Sequence, residues 1–225
     1  NARHNNPIYA AMIHSVDETV GRILDTLDQL GLADRTVIFF TGDNGGLLPN
    51  TSNAPLRAGK GSAYEGGVRV PLLVRWPGVT PPGSVCAEPV ISVDYFPTIA
   101  QLAGVPVSGG AVDGESLAPL LKEPQAKLVR EAIYWHYPHY HPGGATPYGA
   151  VRKGDYKLIE FFEDGKLELY NLKDDVGESN DLSQKQPDVT SALRQDLAAW
   201  RERVNAQMPR PNPDFDPEKA GERRR

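Results

Sequence analysis

A short polar run at residues 41–46 carries side chains suited to binding a divalent cation. Asp43 offers a carboxylate and Asn44 an amide oxygen, and calcium and magnesium prefer such hard oxygen ligands. The glycines on either side allow backbone and ligand to approach closely. Asp, Asn and Gly are also the commonest turn residues, so the run taken alone favours a plain polar turn.

The segment 56–71 combines fixed cations with flexible backbone. It carries Arg57, Lys60 and Arg69 among interleaved glycines, which is typical of a cradle for an oxyanion. A nucleotide-binding P-loop is excluded, because positions 54 and 61 lack the glycine and the Ser or Thr that its pattern requires. In the structural alternative, which stays open, Glu65 pairs with Arg69 inside the loop and Lys60 is merely solvated.

Three histidines fall within residues 134–141, at His136, His139 and His141. Two prolines in and after this segment exclude a regular helix bearing metal ligands. An aromatic, weakly basic rim for an anionic or sugar-like ligand is therefore favoured over a transition-metal site. Arg152, in a strand-like run further along the chain, is a fourth candidate to face such a ligand.

The N-terminal half must position these groups on an α/β layer. Apolar residues recur every three or four positions over 8–30 and predict an amphipathic helix. The apolar run 36–41 predicts a strand buried on both faces, and residues 42–67 predict a long functional loop. The remaining elements predicted in this half are a strand at 72–76 and short helices at 94–103 and 115–121.

The C-terminal half has a different pattern, typical of a small antiparallel sheet covered by one helix. Short strand-like runs separated by turn residues occur at 132–136, 149–152, 156–161 and 167–172. Apolar residues on one face of 187–207 predict the covering helix. We therefore expect an α/β fold with a core at 1–123, a sheet-plus-helix subdomain at 124–208 and a loose tail at 209–225.

Composition excludes several functional classes. The 225 residues include 24 basic and 29 acidic side chains, for a net charge of −5, and lack the concentrated basic face that nucleic acid requires. No apolar run approaches the roughly 20 residues of a membrane span. The single cysteine excludes an internal disulfide. The chain begins at Asn1 without an initiator Met, from which we expect that processing or truncation has removed an upstream segment.

Several runs, taken in order, resemble the type I sulfatases of the alkaline phosphatase superfamily. The runs that carry the resemblance are 9–12, 20–24, 41–45, 56–61, 64–71, 94–98, 154–158 and 168–172. The resemblance extends over roughly residues 5–210 and matches only the C-terminal part of such an enzyme. It implies the C-terminal part of an alkaline phosphatase-like sandwich.

The resemblance also implies roles for particular residues. Asp43 and Asn44 match two ligands of the family's divalent cation, which is usually calcium, and Lys60 matches a lysine that contacts the sulfate. By this likeness Lys60 is a catalytic and substrate-binding residue. A cation and an ammonium group would neutralise charge on the sulfate oxygens while an activated hydroxyl attacks sulfur.

The family's nucleophile is a formylglycine made within a Cys/Ser-x-Pro-x-Arg motif, and no such motif occurs in this chain. We therefore expect a fragment of a sulfuric ester hydrolase that is inactive alone and binds calcium weakly, because calcium takes 6 to 8 oxygen ligands. The formylglycine is expected in the missing N-terminal part. Whether the substrate is an aryl sulfate or a sulfated glycan is left open, as is the oligomeric state.

Two other functions compete with this interpretation. A phosphomonoesterase, phosphodiesterase or phosphonate hydrolase of the same superfamily would use cations and lysine equally well. A non-catalytic protein that binds anionic glycans would bind sulfated sugar without turnover. The resemblance to the family is the one ground for expecting a periplasmic or secreted location.

Overall fold

The computed structural model describes residues 4–107, 112–142 and 144–215. Its helices are α1 Pro7–Gln29, α2 Glu65–Val68, α3 Tyr95–Leu102, α4 Ala118–Lys122 and α5 Pro187–Arg203. Its strands are β1 Ile38–Thr41, β2 Leu72–Arg75, β3 Ala132–Tyr137, β4 Tyr148–Lys153, β5 Tyr156–Phe161 and β6 Leu167–Asn171. No helix in the described ranges is long and apolar enough to cross a membrane. Residues 216–225 of the predicted tail lie outside the described residues.

Helix α1 confirms the amphipathic helix predicted over 8–30. Its N-terminus is capped by Asn6, whose side chain accepts a hydrogen bond from the Tyr9 N–H at 3.0 Å. None of its residues is buried in the described structure, and Ile8 and Met12 on its apolar stripe are 74% and 61% exposed. The helix is therefore formed by local signals, with its apolar stripe open to solvent.

Strands β1 and β2 pair antiparallel as a two-stranded sheet, with Phe39 opposite Val74. These two side chains pack against the cluster formed by the leucines of α4. On the other face, Phe40 and Leu73 are 45% and 58% exposed. The prediction that the first strand is buried on both faces is wrong, because only one face of this sheet is covered within the described residues.

The segment between these strands is irregular except for the single turn of α2, as the lack of periodicity over 42–67 predicts. The predicted helix at 94–103 is confirmed by α3, and the helix predicted at 115–121 is the shorter α4, with a proline in its first turn. The buried Asp94 carboxylate accepts hydrogen bonds from Arg130 at 2.6 and 2.9 Å. This pair ties the start of α3 to the segment that leads into the second sheet.

The predicted antiparallel sheet is confirmed as four strands in the order β3-β4-β5-β6. A two-residue turn joins β4 to β5, and Gly154 within it has a φ of +58°, which glycine adopts without a steric penalty. One face packs against Leu193 and Leu197 of α5. The other face receives Ala63 and Tyr64 from the loop before α2. This second face therefore positions the segment 56–71, which we call the glycine-rich segment.

We expect Leu197→Ala to lower the free energy of unfolding by about 2–5 kcal/mol, because it leaves a cavity between α5 and the sheet. Leu197 is fully buried, whereas Leu30 is 64% exposed. Urea denaturation followed by circular dichroism measures the effect, with Leu30→Ala as the matched control. Equal losses in the two variants would contradict the assignment of the core.

Candidate functional site

The turn that carries Asp43 and Asn44 follows β1 directly and lies against α2. The N–H of Gly45 donates to the carbonyl oxygen of Gly67 at 3.0 Å. A Cβ atom at Gly45 would overlap the carbonyl oxygen of Gly66. The two backbone segments are therefore in contact at a distance that only glycine permits at this position.

Lys60 lies beside the same turn through its backbone. Its N–H donates to the carbonyl oxygen of Gly46 at 3.1 Å. The Asn53 side chain holds the two segments together, because its amide nitrogen donates to the carbonyls of Gly46 at 2.9 Å and Ala58 at 3.0 Å. Its amide oxygen accepts from the Gly46 N–H at 2.9 Å. The structure thus brings together the two segments that the sequence analysis selected.

Two charged side chains at this junction, those of Asp43 and Lys60, have no polar partner among the described residues. Asp43 and Lys60 are both exposed, and neither side chain makes a hydrogen bond or ion pair to another described residue. A carboxylate and an ammonium group on adjacent segments remain accessible to a ligand. That Asp43, Asn44 and Lys60 together hold a cation and a sulfate stays a prediction.

The ion pair between Glu65 and Arg69 that the structural alternative predicts is present at a long distance. The Arg69 guanidinium lies 3.6 Å from the Glu65 carboxylate, with the arginine side chain half exposed. Such a pair contributes little to stability. The structural alternative and the oxyanion cradle are therefore compatible, since they use different side chains.

His141 reaches the glycine-rich segment. A Cβ atom at Gly61, whose φ is +84°, would overlap the His141 imidazole, so the ring lies against the residue that follows Lys60. The His141 N–H donates to the carbonyl oxygen of Ala145 at 2.9 Å, which closes the turn that presents the ring. A residue 80 positions further along the sequence thus borders the candidate site.

The other two histidines lie elsewhere. His136 shares a face of β3 with Tyr134, which stacks on Trp200 of α5 at 4.9 Å. Its Nε2 is 2.8 Å from the carbonyl oxygen of Gln207, on the face of the sheet opposite the glycine-rich segment. His139 is exposed, with its ring 5.5 Å from that of Tyr137. Neither is brought to Lys60 by the described contacts.

Arg152 lies in β4 with its side chain half-buried. It pairs in register with Lys157 of β5, on the face that receives the glycine-rich segment. Its Nε is buried without a hydrogen-bond partner in the described residues, and burial lowers the pKa of its guanidinium. It borders a pocket together with Glu88 and Arg130 rather than with Lys60.

A polar network joins the glycine-rich segment to β6, and the sequence analysis missed it. The Arg57 guanidinium lies 3.8 Å from the centre of the Tyr64 ring and donates to the Tyr170 hydroxyl at 2.9 Å. Both tyrosine hydroxyls donate to Oε2 of Glu168 at 2.8 Å. Burial and the Glu168 carboxylate raise the pKa of both phenols, so the network is fixed in one protonation state at neutral pH.

The cation-binding capacity of the described residues is partial. No three His, Cys, Asp or Glu side chains come together as a metal site within the described ranges. Asp43 and Asn44 supply two oxygen ligands of the kind that calcium takes, and calcium requires several more. The donor chemistry therefore fits a divalent cation whose coordination is completed by other groups.

We expect Gly45→Ala to lower the free energy of unfolding by about 1–3 kcal/mol, because its Cβ forces the turn away from α2. Gly21 in α1 has nothing within 4 Å of its Cβ position, and Gly21→Ala should raise stability by about 0.5–1 kcal/mol. Urea denaturation measures both. A neutral effect of Gly45→Ala would contradict the close backbone contact.

Acid should weaken the network around Glu168. Burial alone would raise the pKa of its carboxyl, but hydrogen bonds from Lys166, Tyr170 and Tyr64 bring it below the usual value. The resulting stabilisation is present above the unfolded pKa and is lost as the pH falls through the lower folded pKa. Glu168→Gln should therefore lose less stability than the unmodified chain between about pH 6 and pH 3. The control is Glu123→Gln, at an exposed position, and an unchanged pH dependence in Glu168→Gln would contradict the assignment.

Family models match most of the chain. One described as sulfatase matches residues 2–105, and one described as N-sulphoglucosamine sulphohydrolase, C-terminal, matches residues 59–203. The chain is 38% identical to a sulfatase of Formosa agariphila over 91% of this chain and 41% of that relative. It thus spans about two fifths of the relative's length.

Solved structures share the fold over nearly the same range. A protein solved in complex with its substrate D-glucosamine-2-N,6-O-disulfate has a TM-score of 0.77 and 30% identity, covering 89% of this chain and 41% of that chain. A phosphonate monoester hydrolase from Silicibacter pomeroyi has a TM-score of 0.68 and 26% identity, covering 84% of this chain and 39% of that chain. These matches confirm the fold class predicted from the sequence. The chain belongs to the sulfatase family and corresponds to the C-terminal portion of its alkaline phosphatase-like fold.

Proposed function

We propose that this chain is the C-terminal portion of a sulfuric ester hydrolase and contributes part of its cation and sulfate site. The observation that carries the proposal is the hydrogen bond between the Lys60 N–H and the Gly46 carbonyl at 3.1 Å. It brings the Lys60 backbone next to the turn that carries Asp43, and the side chains of both residues are exposed and make no hydrogen bond or ion pair to another described residue. The sulfatase family model spans both segments, which supports the same roles.

Each of the three central residues has a distinct role in the proposal. Asp43 and Asn44 supply two oxygen ligands to a divalent cation, for which calcium is our choice. The Lys60 ammonium binds a sulfate oxygen and stabilises the charge that develops there during ester cleavage, as a catalytic and substrate-binding residue. When bound, the cation would add Lewis-acid polarisation of the sulfate. The remaining cation ligands and a formylglycine nucleophile come from residues outside this chain.

We propose a sulfated glycan as the substrate class. His141 lies against the residue that follows Lys60, and an imidazole in this position can donate a hydrogen bond to a sugar hydroxyl or sulfate oxygen. The structural relative that was solved with a glucosamine disulfate supports a sugar substrate. Among the other predicted substrate-binding residues, His139 and Arg152 stay secondary proposals. His136 is the weakest, because it lies on the opposite face of the sheet.

A phosphonate or phosphate ester is the second candidate substrate. The observation that favours it is the structural likeness to a phosphonate monoester hydrolase. A cation and a lysine stabilise phosphoryl and sulfuryl oxygens by the same electrostatic means. Direct comparison of the two ester classes with one preparation of enzyme separates them.

The test uses a longer polypeptide in which this chain is preceded by the sequence encoded upstream of Asn1. We call this polypeptide the contiguous enzyme. We expect this enzyme to release sulfate from a sulfated glucosamine faster than it releases phosphate or phosphonate from matched esters. Lys60→Met should lower kcat/KM for sulfate release by roughly 10²–10³-fold, since it removes one preorganised donor to a developing oxyanion. Lys173→Met, at an exposed lysine on the loop after β6, is the control. Sugar binding without turnover in the contiguous enzyme would favour the glycan-binding protein instead.

The 225-residue chain alone should not hydrolyse 4-nitrocatechol sulfate and should bind calcium weakly, because it supplies two ligands of the six or more that calcium takes. Release of 4-nitrocatechol followed by absorbance, together with calorimetric titration of calcium, checks both statements. Rapid turnover by this chain would overturn the proposed division of the active site.

A further inference from the structure

A lysine is completely buried beneath the glycine-rich segment. Lys157 of β5 has no exposed surface, and its ammonium nitrogen lies 2.9 Å from Oε1 of Glu65 and 2.9 Å from Oε1 of Glu178. The two glutamate side chains are 2% and 0% exposed. Lysine and glutamate are almost never fully buried unless they are paired. Three ionisable groups thus form one buried cluster, which we call the Lys157 cluster.

The Lys157 cluster draws its members from three separate parts of the chain. Glu65 is the first residue of α2, Lys157 is the second residue of β5, and Glu178 lies in the loop that follows β6. Removing such charges from water is costly, and replacing a buried ion pair by apolar residues of similar volume is often neutral or stabilising. What an ionic cluster adds is a fixed geometry, because the Lys157 ammonium has to lie between the two carboxylates, 2.9 Å from Oε1 of each.

A series of backbone hydrogen bonds connects the Lys157 cluster to the candidate site. The Glu65 N–H donates to Oε2 of Glu178 at 2.6 Å, which fixes the first turn of α2. The next N–H, of Gly66, donates to the carbonyl of Arg57 at 2.9 Å, and the Gly67 carbonyl accepts from the Gly45 N–H at 3.0 Å. Arg57 lies three residues before Lys60, and Gly45 follows Asn44. The short helix thus holds both segments of the site.

The other charges around the cluster do not replace Lys157. Arg69 lies 3.6 Å from Glu65, but its side chain is half exposed. Arg152 is the register partner of Lys157 across β4 and β5. The Glu65 carboxylate acts on its guanidinium electrostatically and favours its charged form, but no hydrogen bond or ion pair joins Arg152 to either glutamate. The centre of the Trp135 ring lies 5.9 Å from the Lys157 ammonium, so an aromatic ring borders the ammonium in addition to the two carboxylates. The two glutamates therefore depend on Lys157 for a buried counter-charge.

We propose that Lys157 is a positioning residue for the candidate sulfate site, acting through Glu65 and Glu178 to fix the backbone of residues 43–46 and 57–67. This inference deepens the proposed function and rests on it for the identity of the site. Lys157 touches neither cation nor substrate in this role. It sets the place of α2 on the sheet, and α2 sets the place of the two site segments.

Amide hydrogen exchange of the 225-residue chain, followed by NMR, tests the positioning without any enzyme activity. We expect Lys157→Met to accelerate exchange of the Gly45 and Lys60 amides about tenfold, and to leave the amide of Leu197 in α5 unchanged. Lys153→Met is the matched control, because it removes a lysine of the neighbouring strand whose ion pairs lie on the surface. Unchanged exchange at Gly45 and Lys60, or equal acceleration throughout the chain, would overturn the proposal.

A second variant keeps the proposal testable if Lys157→Met does not fold. Glu178→Gln keeps an amide oxygen as acceptor for the Glu65 N–H and removes one buried negative charge, so the chain should fold. The amide nitrogen then takes the place of the oxygen that faces the Lys157 ammonium, so the pairing with Lys157 is lost while the Glu65 N–H keeps its acceptor. The Gly45 and Lys60 amides should again exchange faster than the amide of Leu197. Wild-type exchange rates in Glu178→Gln would count against the proposal.

The contiguous enzyme provides a readout that a general loss of stability would not give. At a temperature where all variants are folded, Lys157→Met should lower kcat for sulfate release about tenfold, and this effect should vanish in an enzyme that already carries Lys60→Met. Additive effects of the two substitutions would contradict positioning through Lys60. If the unmodified contiguous enzyme releases no sulfate, the proposed function fails, while the exchange experiment still decides the positioning.

Discussion

The close contact between the turn after β1 and the single turn of α2 is the constraint on which the candidate site depends. At Gly45 there is no space for a side chain, because the carbonyl of Gly66 occupies it. The contact is made by backbone groups and includes the hydrogen bond from the Gly45 N–H to the Gly67 carbonyl at 3.0 Å, so it fixes the chain directly after Asn44. Asn53 adds three hydrogen bonds to the same junction.

Around this junction the structure divides charged residues into two groups. Arg57, Glu65 and Lys157 are held by buried or half-buried partners and shape the backbone. Asp43 and Lys60 are exposed and have no partner in the described residues. Such a division is typical of a preorganised site, in which supporting groups are fixed so that the groups that meet the ligand need not move.

Local patterns predicted the elements well and long-range contacts poorly. The four strands of the second sheet and helix α1 follow from periodicity and turn residues, which act over a few positions. The burial of β1 was misjudged because a strand's covering depends on elements distant in sequence. Lys157 could have been noticed, since it alternates along β5 with the apolar residues Ile159 and Phe161. Its partners Glu65 and Glu178 are 92 and 21 residues away, and no local pattern indicates them.

The apolar stripe of α1 and the uncovered face of the first sheet have a practical consequence for the polypeptide in solution. Ile8, Met12, Phe40 and Leu73 present large apolar surfaces to water, and patches of this kind promote association between molecules. Because apolar association strengthens as the solution warms and as sulfate or phosphate salts are added, cold, dilute buffers of weakly salting-out ions are the conditions in which this chain stays dispersed.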